Sequence, residues 1–161
     1  MSGNTPGDDG AWLTIAGLRY FYRAIGTENP GTLPVVLIHG LGVSSDYWAR
    51  LVPILAARRR VYALDLPGFG RTEDPPAIWN GAVMAGAVAA WMDALGLRQA
   101  HVLAHSQGAQ IAVELASHRP ELVASLVLAG ATIGRRDPAL FWVALRLLRD
   151  APREAPTLLQ W

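Results

Sequence analysis

The sequence has no cysteine and no lysine, and its charges almost cancel. Without cysteine the 161-residue chain can form no disulfide, and it has neither a thiol nucleophile nor thiolate ligands for a metal. Without lysine it has no amine for a Schiff base and no Walker-type phosphate lysine. Its 14 basic and 13 acidic residues leave a net charge of +1, too little to neutralise a nucleic-acid backbone. We therefore expect no metal, no cofactor and no nucleic-acid partner.

Targeting and membrane-spanning segments are also missing. Residues 1–10 lack the positive and apolar regions of a signal peptide and are expected to form a flexible tail. The longest charge-free stretch, 75–92, contains two prolines, and its apolar part is too short to cross roughly 30 Å of hydrocarbon. These absences favour a cytoplasmic protein without a membrane span. Hydrophobic residues make up 52% of the chain and charged residues 17%, which predicts one domain with a substantial core.

Apolar runs typical of strands alternate with segments of helical spacing. Two short runs, 11–16 and 18–24, suit a hairpin around Gly17. Near-continuous apolar runs, typical of strands buried on both faces of a parallel sheet, lie at 34–38, 61–66, 100–104 and 122–129. The intervening segments with helical spacing are 45–57, 78–95 and 107–117. Ser45 or Asp46 is available to cap the first of these helices. The alternation predicts an α/β fold with a doubly wound sheet.

The motif Ala104-His105-Ser106-Gln107-Gly108 stands directly after a predicted strand and directly before a predicted helix. This is the setting of a nucleophile elbow, where the abrupt turn lifts a serine hydroxyl above the sheet. The residues two before and two after such a serine must be small, as Gly108 is, and Ala104 adds only one methyl group. The N–H of Gln107 opens the helix, where it can stabilise negative charge. Ser106 is therefore the candidate nucleophile, although an ordinary serine before a helix would also fit.

Two glycine-containing motifs follow neighbouring predicted strands. The glycines of His39-Gly40-Leu41-Gly42 permit a loop whose N–H groups turn toward the next strand end, which makes Leu41 a second candidate oxyanion donor. The other motif, DLPGFGRT at 65–72, closes its strand with a tight turn, and we expect its role to be structural. It lacks the third glycine and the helix start of a dinucleotide-binding loop.

Together the motifs HGLG, DLPGFGRT and AHSQGA, each at a strand end, closely resemble those of the α/β-hydrolase superfamily over residues 12–130. The resemblance implies that Ser106 is the nucleophile of a serine hydrolase and that the Leu41 and Gln107 amides form its oxyanion hole. It also implies that His39 supports the oxyanion loop and that Gly40 and Gly42 shape this loop. Relatives with aspartate at the nucleophile position include dehalogenases and epoxide hydrolases. A serine instead implies hydrolysis of a small ester or related acyl compound, or of a carbon–carbon bond.

The catalytic acid and base of that family are not found at their usual places. They follow the nucleophile in the order acid, then histidine, but the only later histidine, His118, lies about 17 Å along the predicted helix. His105 is expected to pack locally, and His101 lies at the far end of its strand. Asp137 follows the last predicted strand, where some relatives place the acid, but capping a helix explains it equally well. The chain therefore resembles the first part of a hydrolase, without the activating base.

The resemblance divides the chain into a partial core at 11–134 and the start of a helical cap at 135–161. In the cap, Phe141, Trp142 and Leu145 would wall an apolar substrate pocket, or would pack in a core. We expect little turnover by this chain alone, because a triad without one member keeps only residual catalysis. We also expect self-association, because the last predicted strand would lie at an uncovered edge.

Two other functions stay open from the sequence. The chain could be a binding module that has the hydrolase fold and its pocket without the chemistry. It could also be an interaction protein whose exposed edge is completed by a partner chain that carries the missing residues. The main hypothesis, a serine hydrolase acting on a small-molecule acyl substrate, differs from both in requiring a reactive Ser106.

Overall fold

The computed structural model describes residues 10–131, which form a mixed six-stranded sheet with helices on both faces. The strands are β1 (Gly10–Ile15), β2 (Leu18–Ile25), β3 (Val35–Ile38), β4 (Val61–Leu64), β5 (Ala100–His105) and β6 (Val123–Ala129). The α-helices are α1 (Leu51–Ala56), α2 (Gly81–Ala94) and α3 (Gln107–His118). Short 3-10 turns lie at Ser45–Trp48 and Pro120–Leu122. The predicted α/β fold with a doubly wound, mostly parallel sheet is confirmed.

Parts of the predicted domain division lie outside the described residues. These parts are positions 1–9 of the tail, positions 132–134 of the core and the whole proposed cap at 135–161, with Phe141, Trp142 and Leu145. Their assignments therefore stay predictions. Gly10, which the sequence assigns to the tail, is the first residue of β1.

The strand order brings the candidate motifs to one edge of the sheet. The order is β1-β2-β4-β3-β5-β6, with β3, β4, β5 and β6 parallel to one another. The first two strands pair antiparallel with each other, and β2 pairs antiparallel with β4. Because parallel strands end at the same edge, the residues that follow them meet there: His39, Asp65, Ser106 and Gly130.

Strand β3 is buried on both faces, which explains its continuous apolar sequence. On one face Val36 and Ile38 belong to the cluster that also contains the buried sides of α2 and α3. On the other face Leu37 packs with Trp48 and Val52 of the 45–56 segment. These two clusters fix the strand end from both sides, so the loop that follows starts from a rigid support.

The predicted continuous helix at 45–57 is wrong, because this segment forms a 3-10 turn and then α1. Pro53 is the physical reason. Its ring has no N–H and clashes with the carbonyl four residues earlier, so α-helical bonding cannot run through it, whereas the first turn of a helix tolerates it. The cap also differs from the prediction. Ser44, rather than Ser45 or Asp46, accepts a hydrogen bond at 3.3 Å, from the N–H of Asp46.

Strand β6 lies at one end of the sheet, with β5 as its neighbour within the described part of the chain. Its side chains are largely exposed, including Val127 at 54% and Leu128 at 38%. Within residues 10–131 this end strand therefore carries exposed apolar side chains. No helix within residues 10–131 is both long enough and apolar enough to cross a membrane.

Candidate active site

Ser106 sits at a sharp turn between β5 and α3. Its backbone angles are φ 53° and ψ −120°, and within residues 10–131 only Ala16 is another non-glycine residue with positive φ. Its N–H donates to the Ala129 carbonyl at 2.9 Å, which ties the turn to β6. The hydroxyl makes no capping hydrogen bond to the helix that starts at the next residue. Strained angles of this kind cost about 1–3 kcal/mol, so the surrounding structure must hold them in place.

Two small residues allow that turn to form. A Cβ atom on Gly108 would overlap the His39 carbonyl oxygen and lie 2.7 Å from that of Ile38. The first turn of α3 therefore presses against the end of β3 so closely that only glycine fits. Ala104, two residues before the serine, is fully buried in the sheet. The sequence motif is thus the steric consequence of a helix that starts directly above two strand ends.

The loop after β3 packs against the serine. A Cβ on Gly40 would lie 3.0 Å from the Ser106 Cβ and 3.2 Å from the His105 carbonyl oxygen. Gly42, two residues on, has a φ of 73°, which glycine adopts without steric cost. Between the two glycines, the Leu41 side chain is 59% exposed. The loop thus brings its backbone beside the elbow.

His39 fixes the start of this loop and is not a candidate base. Its ring is fully buried, Nδ1 donates to the Gly40 carbonyl at 2.8 Å, and Nε2 accepts from the Leu66 N–H at 2.9 Å. Burial lowers the pKa of His39 below its ordinary value, and the Gly40 carbonyl and nearby Asp65 oppose that shift. Because both ring nitrogens are engaged, the imidazole stays neutral and cannot accept the Ser106 proton.

Asp65 holds the next strand end in place. It is fully buried, and its two oxygens accept from the Ser45 N–H at 2.6 Å and the Arg71 N–H at 2.8 Å. The Thr72 hydroxyl donates to the Asp65 carbonyl at 2.6 Å and accepts from the Phe21 N–H at 2.9 Å. The DLPGFGRT turn is therefore held by its own polar contacts, in agreement with the structural role predicted for it.

The other histidines lie in three different settings. His105 stacks on Tyr47, with ring centroids 4.7 Å apart and planes 21° from parallel, and its buried Nδ1 has no hydrogen-bond partner among residues 10–131. His101 lies near the opposite end of β5, where Nδ1 is 2.7 Å from the Ser125 hydroxyl. His118 is at the last turn of α3, with Nδ1 2.9 Å from the Glu114 carbonyl. None of these rings is hydrogen-bonded to Ser106 within residues 10–131.

An open groove of about 450 Å³ lies beside the elbow, and both Leu41 and Gln107 line it. Most of its other walls are apolar, and they include Pro67, Phe69, Ile78, Trp79, Met84 and Ile111. Sequence reasoning missed this groove and expected the pocket in the cap. One signal was available, because Ile78 and Trp79 form an apolar pair directly before Asn80, which caps α2. Ile78 is fully exposed, so this pair is not explained by core packing alone.

Comparisons with known proteins agree with this geometry. The profile of a family described as alpha/beta hydrolase fold matches residues 34–153, about three quarters of the chain. A 2-hydroxymuconate semialdehyde hydrolase from Pseudomonas sp. (strain CF600) is 43% identical over 107 residues, which is 64% of this chain and 38% of the relative. The acetyltransferase component of the acetoin cleaving system of Cupriavidus necator is 37% identical over 133 residues, 77% of this chain and 35% of the relative.

A solved structure gives the same result. The meta-cleavage product hydrolase from Pseudomonas fluorescens IP01, determined as a serine-to-alanine mutant with acetates bound, superposes with a TM-score of 0.72 at 32% identity. The match covers 80% of this chain and 47% of that one. The chain therefore spans less than half the length of each of these three proteins. From its motifs, its sheet and these matches together, the chain belongs to the α/β-hydrolase fold family.

Proposed function

We propose that this chain carries the nucleophile and the oxyanion hole of a serine hydrolase that cleaves a small acyl substrate. The Ser106 Oγ attacks the carbonyl carbon, its proton passes to a general base, and the carbonyl oxygen becomes an oxyanion. The N–H groups of Leu41 and Gln107 donate to that oxyanion. The leaving group then departs with the proton, and water hydrolyses the acyl ester on Ser106 in a second step.

The observation that carries this proposal is the backbone of Ser106, at φ 53°, with Gly40 packed against its Cβ. Non-glycine residues in such conformations persist only where the surrounding structure holds them in place, and they cluster at active sites. Gln107 is the first residue of α3, where the partial positive charge of a helix stabilises an anion. The hydrolase relatives, one of them solved as a serine-to-alanine mutant, support the same chemistry.

We propose that none of the four histidines of this chain is the general base. His39 has both ring nitrogens engaged, and His101 and His118 lie at the far ends of β5 and α3. His105 faces Tyr47 rather than Ser106. Since a triad without its base retains only the catalysis of binding and oxyanion stabilisation, turnover by this chain alone should be slow. The activity of the whole protein depends on a base supplied from elsewhere.

Hydrolysis is preferred to acyl transfer for the second step. An acyl-enzyme gives its acyl group to whichever nucleophile reaches it, so the chemistry at Ser106 is shared by both reactions. The relative from the acetoin cleaving system carries an acetyltransferase name, which keeps transfer as the second candidate. Two of the similar proteins carry hydrolase names, which favours water as the acyl acceptor. Product analysis with water alone and with an added thiol distinguishes the two reactions.

Labelling with a fluorophosphonate tests the nucleophile. The probe should modify the chain slowly at one residue, and Ser106→Ala should abolish the modification. Ser117→Ala is the matched control, because Ser117 is exposed on the same helix and should leave labelling unchanged. Labelling that survives Ser106→Ala would exclude Ser106 as nucleophile. Tight ligand binding with no labelling would favour the binding-module hypothesis, and activity that appears only with a co-purified partner would favour the interaction-protein hypothesis.

A second pair of variants tests the oxyanion donor. Gln107→Ala keeps the backbone N–H and should change labelling little, since the side chain is not the donor. Gln107→Pro removes the N–H at the first position of the helix. Because proline also disfavours the ψ of −120° at the preceding Ser106, the melting temperature of this variant is measured together with its labelling. Loss of one oxyanion donor typically costs about 100-fold to 1,000-fold in rate. Equal labelling of both variants, at unchanged melting temperature, would remove Gln107 from the oxyanion hole.

A further inference from the structure

The groove beside the elbow is continuous with the two residues assigned to the oxyanion. Leu41 and Gln107 both line it, so a substituent on a carbonyl held by their N–H groups can extend directly into it. Its volume of about 450 Å³ is within the range of small-molecule sites in proteins. The groove is built from the described core, by the turn after β4, the start of α2 and the first turns of α3.

The chemistry of the walls points to one kind of substituent. Phe69, Trp79 and Ile111 are among the predominantly apolar residues that line the groove. Asp74 is the one charged residue of its lining, and no basic side chain within residues 10–131 forms an ion pair with it. An apolar wall gains free energy from an alkyl or aryl group that leaves water. A carboxylate in the same place would lose hydration and face the negative charge of Asp74.

We propose that this groove binds the acyl chain of the substrate and selects an uncharged, apolar one. Asp74 acts as a specificity residue that disfavours acyl chains ending in a carboxylate. This inference rests on the proposed function, because it assumes an acyl group attached to Ser106. It goes further by assigning the substrate class to residues of the core.

The first test measures labelling rates for alkylphosphonofluoridates that differ only in the alkyl group on phosphorus, from methyl to octyl. That group stays on Ser106 after fluoride leaves, so it reports the acyl side of the site. Each methylene that the groove buries should raise the rate by up to about fourfold. Ala77→Trp, at an exposed position in the groove lining, should abolish this gain with chain length. Ala57→Trp, exposed at the end of α1, is the matched control.

The second test changes charge instead of volume, so it does not depend on how the tryptophan variant folds. Asp74→Asn should increase labelling by a probe with a terminal carboxylate about threefold to fivefold at low salt, relative to its effect on the octyl probe. Glu28→Gln, an exposed carboxylate outside the groove, is the control and should change neither rate. The gain should shrink in high salt because the interaction is electrostatic.

The possible results distinguish a failure of the groove assignment from a failure of the proposed serine hydrolase function. Ser106-dependent labelling by the methyl probe, with no chain-length preference and no effect of Ala77→Trp or Asp74→Asn, would overturn the groove assignment and keep the serine hydrolase. A chain-length preference that Ala77→Trp leaves intact would place the acyl chain elsewhere. Absence of Ser106-dependent labelling with every probe would overturn the proposed function and the groove assignment together.

Discussion

Replacing Gly108 with alanine tests how the elbow is built. The added Cβ would overlap the His39 carbonyl oxygen and lie 2.7 Å from the Ile38 carbonyl oxygen, and both are backbone atoms in a buried strand end. No flexible side chain can move aside, so α3 must shift away from β3. Overpacking of this kind costs typically 1–3 kcal/mol. Because about 2–4 °C of melting temperature corresponds to 1 kcal/mol at this chain length, Gly108→Ala should lower the melting temperature by about 2–12 °C.

The matched control is Gly86→Ala, in the exposed face of α2, where an added Cβ meets nothing within 4 Å. Alanine is favoured over glycine in a helix by up to about 1 kcal/mol, so this variant should melt about 2–4 °C higher. The assay is thermal unfolding followed by circular dichroism, with fluorophosphonate labelling on the same samples. If Gly108→Ala has the melting temperature of the parent chain and labels Ser106 at the parent rate, the contact between α3 and the end of β3 does not require glycine at this position.

Three other residues give outcomes that can be measured on the same purified chain. Burial keeps the pKa of His39 below 6.5, so the unfolded chain binds a proton that the folded chain does not. The free energy of unfolding should therefore fall as the pH drops below about 6.5, by at most about 1.4 kcal/mol per pH unit, in urea titrations. His39→Asn should flatten that slope. Tyr47→Ala removes the ring that stacks on His105 and should slow labelling of Ser106 several-fold, whereas Tyr47→Phe should not. Val127→Lys should reduce concentration-dependent self-association in light scattering, and a parent chain that stays monomeric with a cooperative melt would contradict that expectation.

The strand ends could be predicted from the sequence because the signals there are local. Some apolar runs are followed at once by glycine or by a small-x-Ser-x-small motif. Few local structures other than a buried strand and a tight turn fit this pattern. The predicted strand at 34–38 and the helix at 107–117 each agree with the observed element to within one residue. In the 45–57 segment helical spacing predicts a single helix, but Pro53 decides where α1 begins.

The groove could not be predicted, because it depends on distant parts of the chain coming together. Phe69 follows β4, Trp79 precedes α2, and Ile111 lies in α3, so no single stretch of sequence contains the wall. The stack between Tyr47 and His105 has the same origin, since its rings lie 58 positions apart in the chain. Contacts of this kind follow from the strand order, which local periodicity does not specify.

The same strand order explains why the strained serine persists. Strand β5 lies between β3 and β6, and the Ser106 N–H is held by the Ala129 carbonyl on one side. On the other side Gly108 is pressed against the β3 end and Gly40 against the Ser106 Cβ. To relax its φ, Ser106 would have to give up the bond to β6 or move the first turn of α3, so these contacts oppose the relaxation. The candidate site is therefore built by backbone geometry, and its small residues are required sterically rather than chemically.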